Sequence, residues 1–168
     1  MKCDKRLMRL YAVTDRAWTK DKNLTLQIKE ALDGGVTCVQ LREKHLENDA
    51  FLKEALEIGA LCRKYKVPFI VNDNIEVALK SDADGVHIGQ EDMDIKSARK
   101  ILGEKKIIGV SVETVEQAMI AEHSGADYLG VGAVFPTSTK DDAYSISFET
   151  LKEICQTVSI PVVAIGGI

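Results

Sequence analysis

Residues 68–92 read PFIVNDNIEVALKSDADGVHIGQED and contain two short apolar runs separated by a helical pattern. The runs Pro68–Val71 and Gly85–Ile88 are almost continuously apolar, as is typical of parallel strands that are covered on both faces. A helix is predicted to begin near Asn74, between the two runs. The stretch therefore predicts a βαβ unit, whose crossover is right-handed in nearly all proteins, and a parallel sheet.

The same alternation continues in both directions along the chain. Further helices are predicted to begin near Asp94, Thr114 and Ser147. Repeated strand–helix units are typical of an α/β protein, either a TIM (β/α)8 barrel or a doubly wound sheet. The seven predicted strands are Leu10–Thr14, Cys38–Leu41, Pro68–Val71, Gly85–Ile88, Ile107–Val110, Tyr128–Val131 and Pro161–Ile165.

Local helix signals agree with this alternation. Thr114 and Gln117 have the spacing of a capping box, in which the two residues satisfy each other's backbone N–H groups. Gly34, Gly103 and Gly125 stand where the predicted helices should end.

The last predicted strand is followed only by GGI, residues 166–168. A (β/α)8 barrel has eight strands, and about seven are visible in this chain. The expectation is one barrel domain over residues 1–168 that is incomplete at its C-terminal end. Unpaired strand edges would make such a chain prone to aggregate and of doubtful activity.

Composition excludes several classes of protein. The 168 residues are 45% hydrophobic and 29% charged with a net charge of −4, which argues against a nucleic-acid-binding surface and against disorder. No run approaches the roughly 20 apolar residues of a membrane span, and the charged N-terminus does not resemble a secretory signal, so the cytoplasm is expected. The four cysteines form no C-x-x-C pair, and Cys38, Cys62 and Cys155 are predicted to be small buried hydrophobes.

Polar residues concentrate directly after the predicted strands, where parallel α/β proteins build their active sites. Gln40, Arg42 and Lys44 alternate along an extended segment, so their side chains should point one way and those of Leu41 and Glu43 the other. Two neighbouring cations suit a diphosphate. Local ion pairs on a solvated strand end would explain the pattern about as well.

Asp73 and Asp92 follow neighbouring predicted strands, which lie about 4.8 Å apart in a sheet, so their carboxylates could converge on one ion. Two carboxylates suit Mg²⁺, which completes its shell with water and phosphate oxygens. Glu91 is a competing ligand. As an isolated acid, either aspartate is more often a helix cap or a surface residue.

A phosphate cradle is predicted at residues 137–140, where hydroxyl groups, backbone N–H groups and a cation follow Pro136. Gly166 and Gly167 are typical of a barrel's phosphate-binding loop, although a plain turn would also explain them. His87 ends a strand with no nucleophile placed to form a triad, so it is interpreted as a structural residue. The cradle residues are Thr137, Ser138, Thr139 and Lys140.

Taken jointly, six short motifs resemble those of the thiamine-phosphate synthase family, and the resemblance extends from YAVTD (11–15) to the last residue. The six are QLREK (40–44), ND (72–73), GVHIGQED (85–92), GVS (109–111), PTSTK (136–140) and GGI (166–168). Each motif is weak alone, but their order and location agree over essentially the whole chain. The resemblance implies a (β/α)8-barrel transferase of thiamine biosynthesis that joins a pyrimidine diphosphate to a thiazole phosphate and releases diphosphate.

The resemblance also implies roles for individual residues. Gln40 would contact the aminopyrimidine, within a substrate-binding segment that includes Leu41 and Glu43. Asp73 and Asp92 would bind Mg²⁺, and Thr137, Ser138, Thr139 and Gly167 would seat the thiazole phosphate. The leaving diphosphate would be held by Arg42, Lys44, Asn72 and Lys140, with Ser111 nearby.

The implied reaction is dissociative, so it needs a neutralised leaving group more than a strong base. Two alternatives remain at this point: a thiazole tautomerase or regulator that shares the barrel, and an inactive, truncated phosphate-binding barrel. The paired aspartates and the Gln40-Arg42-Lys44 pattern argue against the tautomerase. Small-molecule substrates are the expected partners, and a homo-oligomer is plausible for a small barrel.

Overall fold

The computed structural model describes residues 3–19, 23–137 and 145–168. The chain forms two compact units. The N-terminal unit is Arg6–His87, and the C-terminal unit is Ile88–Ile168 together with the residues that precede Arg6.

The N-terminal unit is built on the parallel strands β1 (Tyr11–Val13), β2 (Cys38–Leu41), β3 (Phe69–Asn72) and β4 (Gly85–Ile88), of which β4 ends on the first residue of the other unit. Neighbours in sequence are neighbours in the sheet. All residues of β2, β3 and β4 are buried, which explains their continuous apolar pattern.

Three α-helices cover these strands: α1 (Leu24–Asp33), α2 (Asn48–Tyr65) and α3 (Ile75–Lys80). Helix α2 buries an apolar stripe that includes Phe51, Ala55 and Ile58. Each large side chain in such a stripe contributes about 1.5–3 kcal/mol by leaving water.

The C-terminal unit contains α4 (Ile95–Leu102), β5 (Ile107–Val112), α5 (Val115–His123), β6 (Tyr128–Val131), α6 (Phe148–Thr157) and β7 (Val162–Ala164). Its strands are also parallel and pair in the order β5–β6–β7.

The same aspartate contact occurs in both units. Asp84, just before β4, accepts a hydrogen bond from the backbone N–H of Phe69 at 2.9 Å. Asp127, just before β6, accepts one from the N–H of Ile108 at 2.8 Å and pairs with Arg99 at 2.6 Å. Each carboxylate thus accepts a hydrogen bond from a backbone N–H at the start of the preceding strand. Without the carboxylate, that buried N–H would have no partner.

The predicted strands are confirmed, with ends that shift by one or two residues. Strand β5 runs on to Val112, so Ser111 lies inside the strand rather than at its end. A 3-10 helix at Arg16–Trp18, capped by Asp15, was not expected from the sequence.

The predicted helix caps are also confirmed. The side chains of Asn74, Asp94 and Ser147 each accept the backbone N–H three residues on, and Thr114 and Gln117 form both bonds of the capping box. The four cysteines form no disulfide in the described part of the chain, and Cys38 and Cys62 are buried as predicted. The prediction for Cys155 was wrong, because it lies on an exposed face of α6. Among the described residues, no helix has the length and apolar character that crossing a membrane requires.

Candidate active site

The segment that leaves β2 carries the predicted pyrimidine and diphosphate contacts. Gln40 is buried, and its Nε2 donates to the Tyr11 hydroxyl at 2.9 Å. The Leu41 side chain is fully buried in the core, whereas Lys44 is half exposed. Leu41 therefore anchors the segment in the hydrophobic core, while the charged end of Lys44 reaches solvent.

Glu43 points away from solvent and meets a cation that the sequence analysis did not single out. Its Oε2 accepts from Arg16 Nε at 2.9 Å, and only 3% of its side chain is exposed. Arg16 Nη2 also donates to both carboxylate oxygens of Glu54, at 2.8 Å each. Burial raises the pKa of Glu54 against the opposing effect of the Arg16 guanidinium, and the neighbouring Glu43 carboxylate adds to the rise.

The C-terminal ends of β3 and β4 bring Asn72, Asp73 and His87 together. Asn72 and His87 are buried and lie opposite each other in the register of the sheet. The Asp73 N–H donates to the His87 carbonyl at 2.8 Å, and Asp73 has a left-handed backbone with a φ of 60°. Aspartate adopts this conformation more readily than most residues, and it is often found where a site needs an unusual side-chain direction.

Lys44 forms an ion pair with Asp73, with 2.8 Å between Nζ and Oδ2. The family resemblance implies different partners for these two residues, the diphosphate for Lys44 and the metal for Asp73. Their side chains are 48% and 29% exposed, so solvent screens the pair and it contributes at most about 1 kcal/mol to stability. The two groups can therefore exchange partners at little energetic expense.

In the C-terminal unit, Asp92 folds back onto the loop that follows β4. Its Oδ2 accepts from the backbone N–H of Gly89 at 2.6 Å. Gln90 Nε2 donates to the carbonyl of Ser111 at 2.6 Å, which ties this loop to β5. Glu91 is exposed on the same loop.

The loop after β6 is held by backbone contacts with the chain that follows β7. Val134 N–H donates to the Ile165 carbonyl and Phe135 N–H to the Gly166 carbonyl, both at 2.9 Å. Gly167 has a φ of +71°, and a Cβ there would lie 2.7 Å from the Cβ of Phe135. Of the four predicted cradle residues, Thr137 is among the described residues. Ser138, Thr139 and Lys140 lie outside them.

The donor chemistry of the predicted metal ligands fits magnesium. Asp73 and Asp92 offer hard carboxylate oxygens, and Mg²⁺ usually takes one or two protein carboxylates and fills its shell with water and phosphate. In the ranges that the structure describes, no cluster of three or more His, Cys, Asp or Glu is found.

Two residues of the site were missed by sequence reasoning, Arg16 and Glu54. Arg16 directly follows the YAVTD motif, and this adjacency was the available signal. Glu54 is one of several charged residues on α2, and nothing in the sequence indicated which residue it would pair with.

Comparisons with known proteins agree with the resemblance. The family model described as thiamine monophosphate synthase matches residues 10–168. A thiamine-phosphate synthase of Clostridium acetobutylicum is 53% identical over 160 residues, which are 95% of this chain and 76% of that protein. A thiamine-phosphate synthase of Methanobrevibacter smithii is 53% identical over 159 residues, with the same two shares.

A solved structure supports the same conclusion. The thiamine phosphate pyrophosphorylase of Pyrococcus furiosus matches with a TM-score of 0.89 and 43% identity, covering 98% of this chain and 77% of that one. The predicted (β/α)-barrel fold class is thereby confirmed, with seven strands in the described residues. The chain belongs to the thiamine-phosphate synthase family of transferases in thiamine biosynthesis.

Proposed function

We propose that this member of the thiamine-phosphate synthase family works by a dissociative, magnesium-assisted route. In that route the aminopyrimidinylmethyl diphosphate ionises before the thiazole nitrogen attacks. The C–O bond to the diphosphate breaks with its electron pair, the C–N bond to the thiazole forms, and thiamine phosphate and diphosphate are the products. Such a reaction needs no side-chain nucleophile, and the departing charge must be stabilised as the bond breaks.

The Lys44–Asp73 ion pair is the observation that best supports this route. A cation suited to phosphate and a carboxylate suited to magnesium lie 2.8 Å apart on the ends of two strands of one unit. Bound Mg²⁺ would supply Lewis-acid neutralisation of the leaving group, with Asp73 and Asp92 as its proposed protein ligands. Lys44, relieved of its carboxylate partner, would then direct its ammonium group at the diphosphate oxygens.

Arg42 and Gln40 have complementary proposed roles. Arg42 offers a planar fork that suits two phosphate oxygens at once, and its charge does not depend on pH. Gln40 is buried beside Tyr11, so its amide is held in one orientation, as recognition of a flat heterocycle requires. Asn72, Ser111 and Lys140 complete the proposed diphosphate site.

The thiazole phosphate is proposed to bind at the loop after β6, with Thr137, Ser138, Thr139 and Gly167. The support from the described residues is the close backbone approach at Gly167, where a side chain would collide with Phe135. Glycine leaves its N–H accessible to an anion, as in the phosphate sites of many barrels.

Asp92→Asn and Asp73→Asn test the metal assignment. We expect each to lower turnover about 100-fold or more at ordinary magnesium concentrations, because the ion loses one of two charged ligands. Initial rates over a magnesium titration are the measurement. Asp94→Asn is the matched control, since Asn caps helix α4 as well as Asp does.

The assignment fails if Asp73→Asn and Asp92→Asn follow the same magnesium titration curve as the wild type. Failure of the wild-type protein to condense the two substrates would instead reject the proposed reaction.

The cytoplasm is the proposed compartment, because the four cysteines form no disulfide in the described part of the chain, as expected where thiols are kept reduced. Self-association is also proposed, and light scattering of the purified chain would test it.

A further inference from the structure

The start of the chain contacts the predicted diphosphate segment along its backbone. Thr14 N–H donates to the Gln40 carbonyl at 3.0 Å, and the buried Thr14 hydroxyl accepts from the Arg42 N–H at 2.9 Å. The segment is therefore held on both sides of Leu41 by Thr14, the residue that follows β1.

A side-chain cluster continues this contact beyond Arg42. Arg16, on the 3-10 helix, bonds Glu43 through Nε and Glu54 of α2 through Nη2. One guanidinium thus joins three elements of the N-terminal unit: the 3-10 helix, the segment after β2 and helix α2.

Glu43 depends on Arg16 for its buried position. Its side chain is almost fully buried, and its second oxygen, Oε1, makes no hydrogen bond to the part of the chain that the structure describes. A buried carboxylate is stable only when it is paired, and the adjacent Glu54 adds a second negative charge. Without the guanidinium, Glu43 would be an unpaired buried carboxylate, and turning towards water would relieve that cost.

Turning Glu43 would disturb its neighbours. Glu43 lies between Arg42 and Lys44 in the chain, so a change in its backbone would redirect both neighbouring cations. Electrostatic stabilisation of a leaving group depends on such groups being fixed in place beforehand.

We propose that Arg16 is a positioning residue that, through Glu43 and with Glu54 as its second anchor, holds Arg42 and Lys44 in the geometry that receives the diphosphate. The inference rests on the proposed function, because the diphosphate roles of Arg42 and Lys44 come from it. Arg16 itself contacts no substrate in this account.

The test uses Arg16→Met and Arg16→Lys, with kcat and KM measured for each substrate at saturating magnesium. Inorganic diphosphate binding, measured by calorimetry with magnesium, adds a readout that is independent of turnover. We expect Arg16→Met to lower kcat/KM for the pyrimidine diphosphate about 100-fold, as small misplacements of catalytic groups do, and to weaken diphosphate binding about 10-fold. The KM for thiazole phosphate should stay unchanged.

Arg16→Lys should fall between Arg16→Met and the wild type, because lysine can pair with one carboxylate but lacks the fork that reaches both. It also carries the test if Arg16→Met does not fold. Lys80→Met is the matched control, since it removes a cation from an exposed ion pair on α3 of the same unit and should leave all constants unchanged.

Glu43→Gln separates positioning from direct binding. If Arg16 acts through Glu43, Glu43→Gln should weaken diphosphate binding to a similar extent, and the Arg16→Met/Glu43→Gln double variant should be little worse than either single one. If Arg16 binds diphosphate directly, Glu43→Gln leaves diphosphate affinity unchanged and the proposal is rejected.

Equal changes in the kinetic constants of both substrates, or a lower melting temperature with unchanged constants, would also reject the proposal in favour of a purely structural role. A wild-type protein that binds magnesium diphosphate but does not condense the substrates would reject the proposed function. The calorimetric comparison of Arg16 variants would still decide the positioning role in that case.

Discussion

The segment after β2 and the loop after β6 are both predicted to hold phosphate groups, but they are constructed differently. Beyond Arg42, the segment after β2 is organised by charged side chains, because Glu43 pairs with Arg16 and Lys44 pairs with Asp73. Residues 132–137 are organised by backbone hydrogen bonds to residues 165 and 166 and by glycines. A site built from charged side chains is sensitive to lost charge, whereas a site built from backbone is sensitive to added volume.

Gly132→Ala should have the largest effect, and it tests the backbone-built loop. A Cβ at this position would lie 2.9 Å from the carbonyl carbon of Ile165, and neither backbone can move aside easily. We expect a loss of about 3 kcal/mol in the free energy of unfolding, measured by urea denaturation.

Gly35→Ala is the control for Gly132→Ala. Gly35 has a φ of +96° but no atom within 4 Å of an added Cβ, so only the left-handed backbone is penalised. A loss of about 1 kcal/mol is expected there. Equal losses in the two variants would contradict the steric explanation.

Lys44→Met tests the charge-built segment. We expect kcat/KM for the pyrimidine diphosphate to fall about 100-fold, the typical result of removing one group that stabilises developing charge. The free energy of unfolding should change by at most about 1 kcal/mol, because the Lys44–Asp73 pair is screened by solvent.

Steady-state kinetics and urea denaturation on the same preparation would compare these two effects of Lys44→Met. Lys29→Met, which removes an exposed partner of Asp33 on α1, is the control and should change neither quantity noticeably. A large loss of stability with intact kinetics would assign Lys44 to the fold instead of the site.

Glu122→Gln should have a smaller effect, in the C-terminal unit. Glu122 Oε1 accepts from the hydroxyl and N–H of Ser159 and from the N–H of Ile160, and these donors lower the pKa of Glu122, the Ser159 hydroxyl most of all. After allowance for solvent screening, we expect the variant to lose about 1 kcal/mol at pH 7.

The sign of the pH dependence follows from the lowered pKa of Glu122. The stabilisation is present above the ordinary carboxyl pKa and is lost as the pH falls through the lower pKa of the folded protein. The difference between wild type and Glu122→Gln, measured by urea denaturation from pH 7 to pH 3, should therefore shrink. A difference that grows towards low pH would refute this interpretation.

Glu54→Gln should have the smallest effect and the opposite pH signature. Because burial raises the pKa of Glu54, the folded protein holds this proton more tightly than the unfolded chain does. The contribution of Glu54 to the free energy of unfolding is therefore greatest below the ordinary carboxyl pKa. It falls as the pH rises through the raised pKa of Glu54 in the folded protein.

Replacing Glu54 with glutamine should remove this pH dependence of the free energy of unfolding. At neutral pH the free energy of unfolding should change by only about a few tenths of a kcal/mol. Chemical denaturation between pH 4 and pH 7 is the measurement. A slope that persists unchanged would show that another group titrates in this range.

Much of the fold could be predicted because its signals are local. The continuous apolar runs at Cys38–Leu41 and Tyr128–Val131 are strands at those residues in the structure. Asn74 and Thr114 cap the helices that were predicted to follow them. Such signals depend on residues within one or two turns of each other, so they are legible without tertiary structure.

The prediction for Cys155 was wrong because its segment is amphipathic, and a residue at the border of the apolar stripe can lie on either side of it. The 3-10 helix at Arg16–Trp18 was missed for a related reason. One short turn has too few residues to show periodicity.

The sequence by itself determined the order of strands and helices, the caps and the family, since each of these depends on neighbouring residues or on the order of motifs along the chain. Only the tertiary structure decided that Arg16 pairs with Glu43 and Glu54, 27 and 38 residues away, and that Lys44 pairs with Asp73, 29 residues away. The left-handed backbone conformation of Asp73 was likewise decided only by the tertiary structure. Charged side chains have many potential partners along a chain, and the packing of strands and helices selects among them because it sets which ones meet and how far each is removed from water.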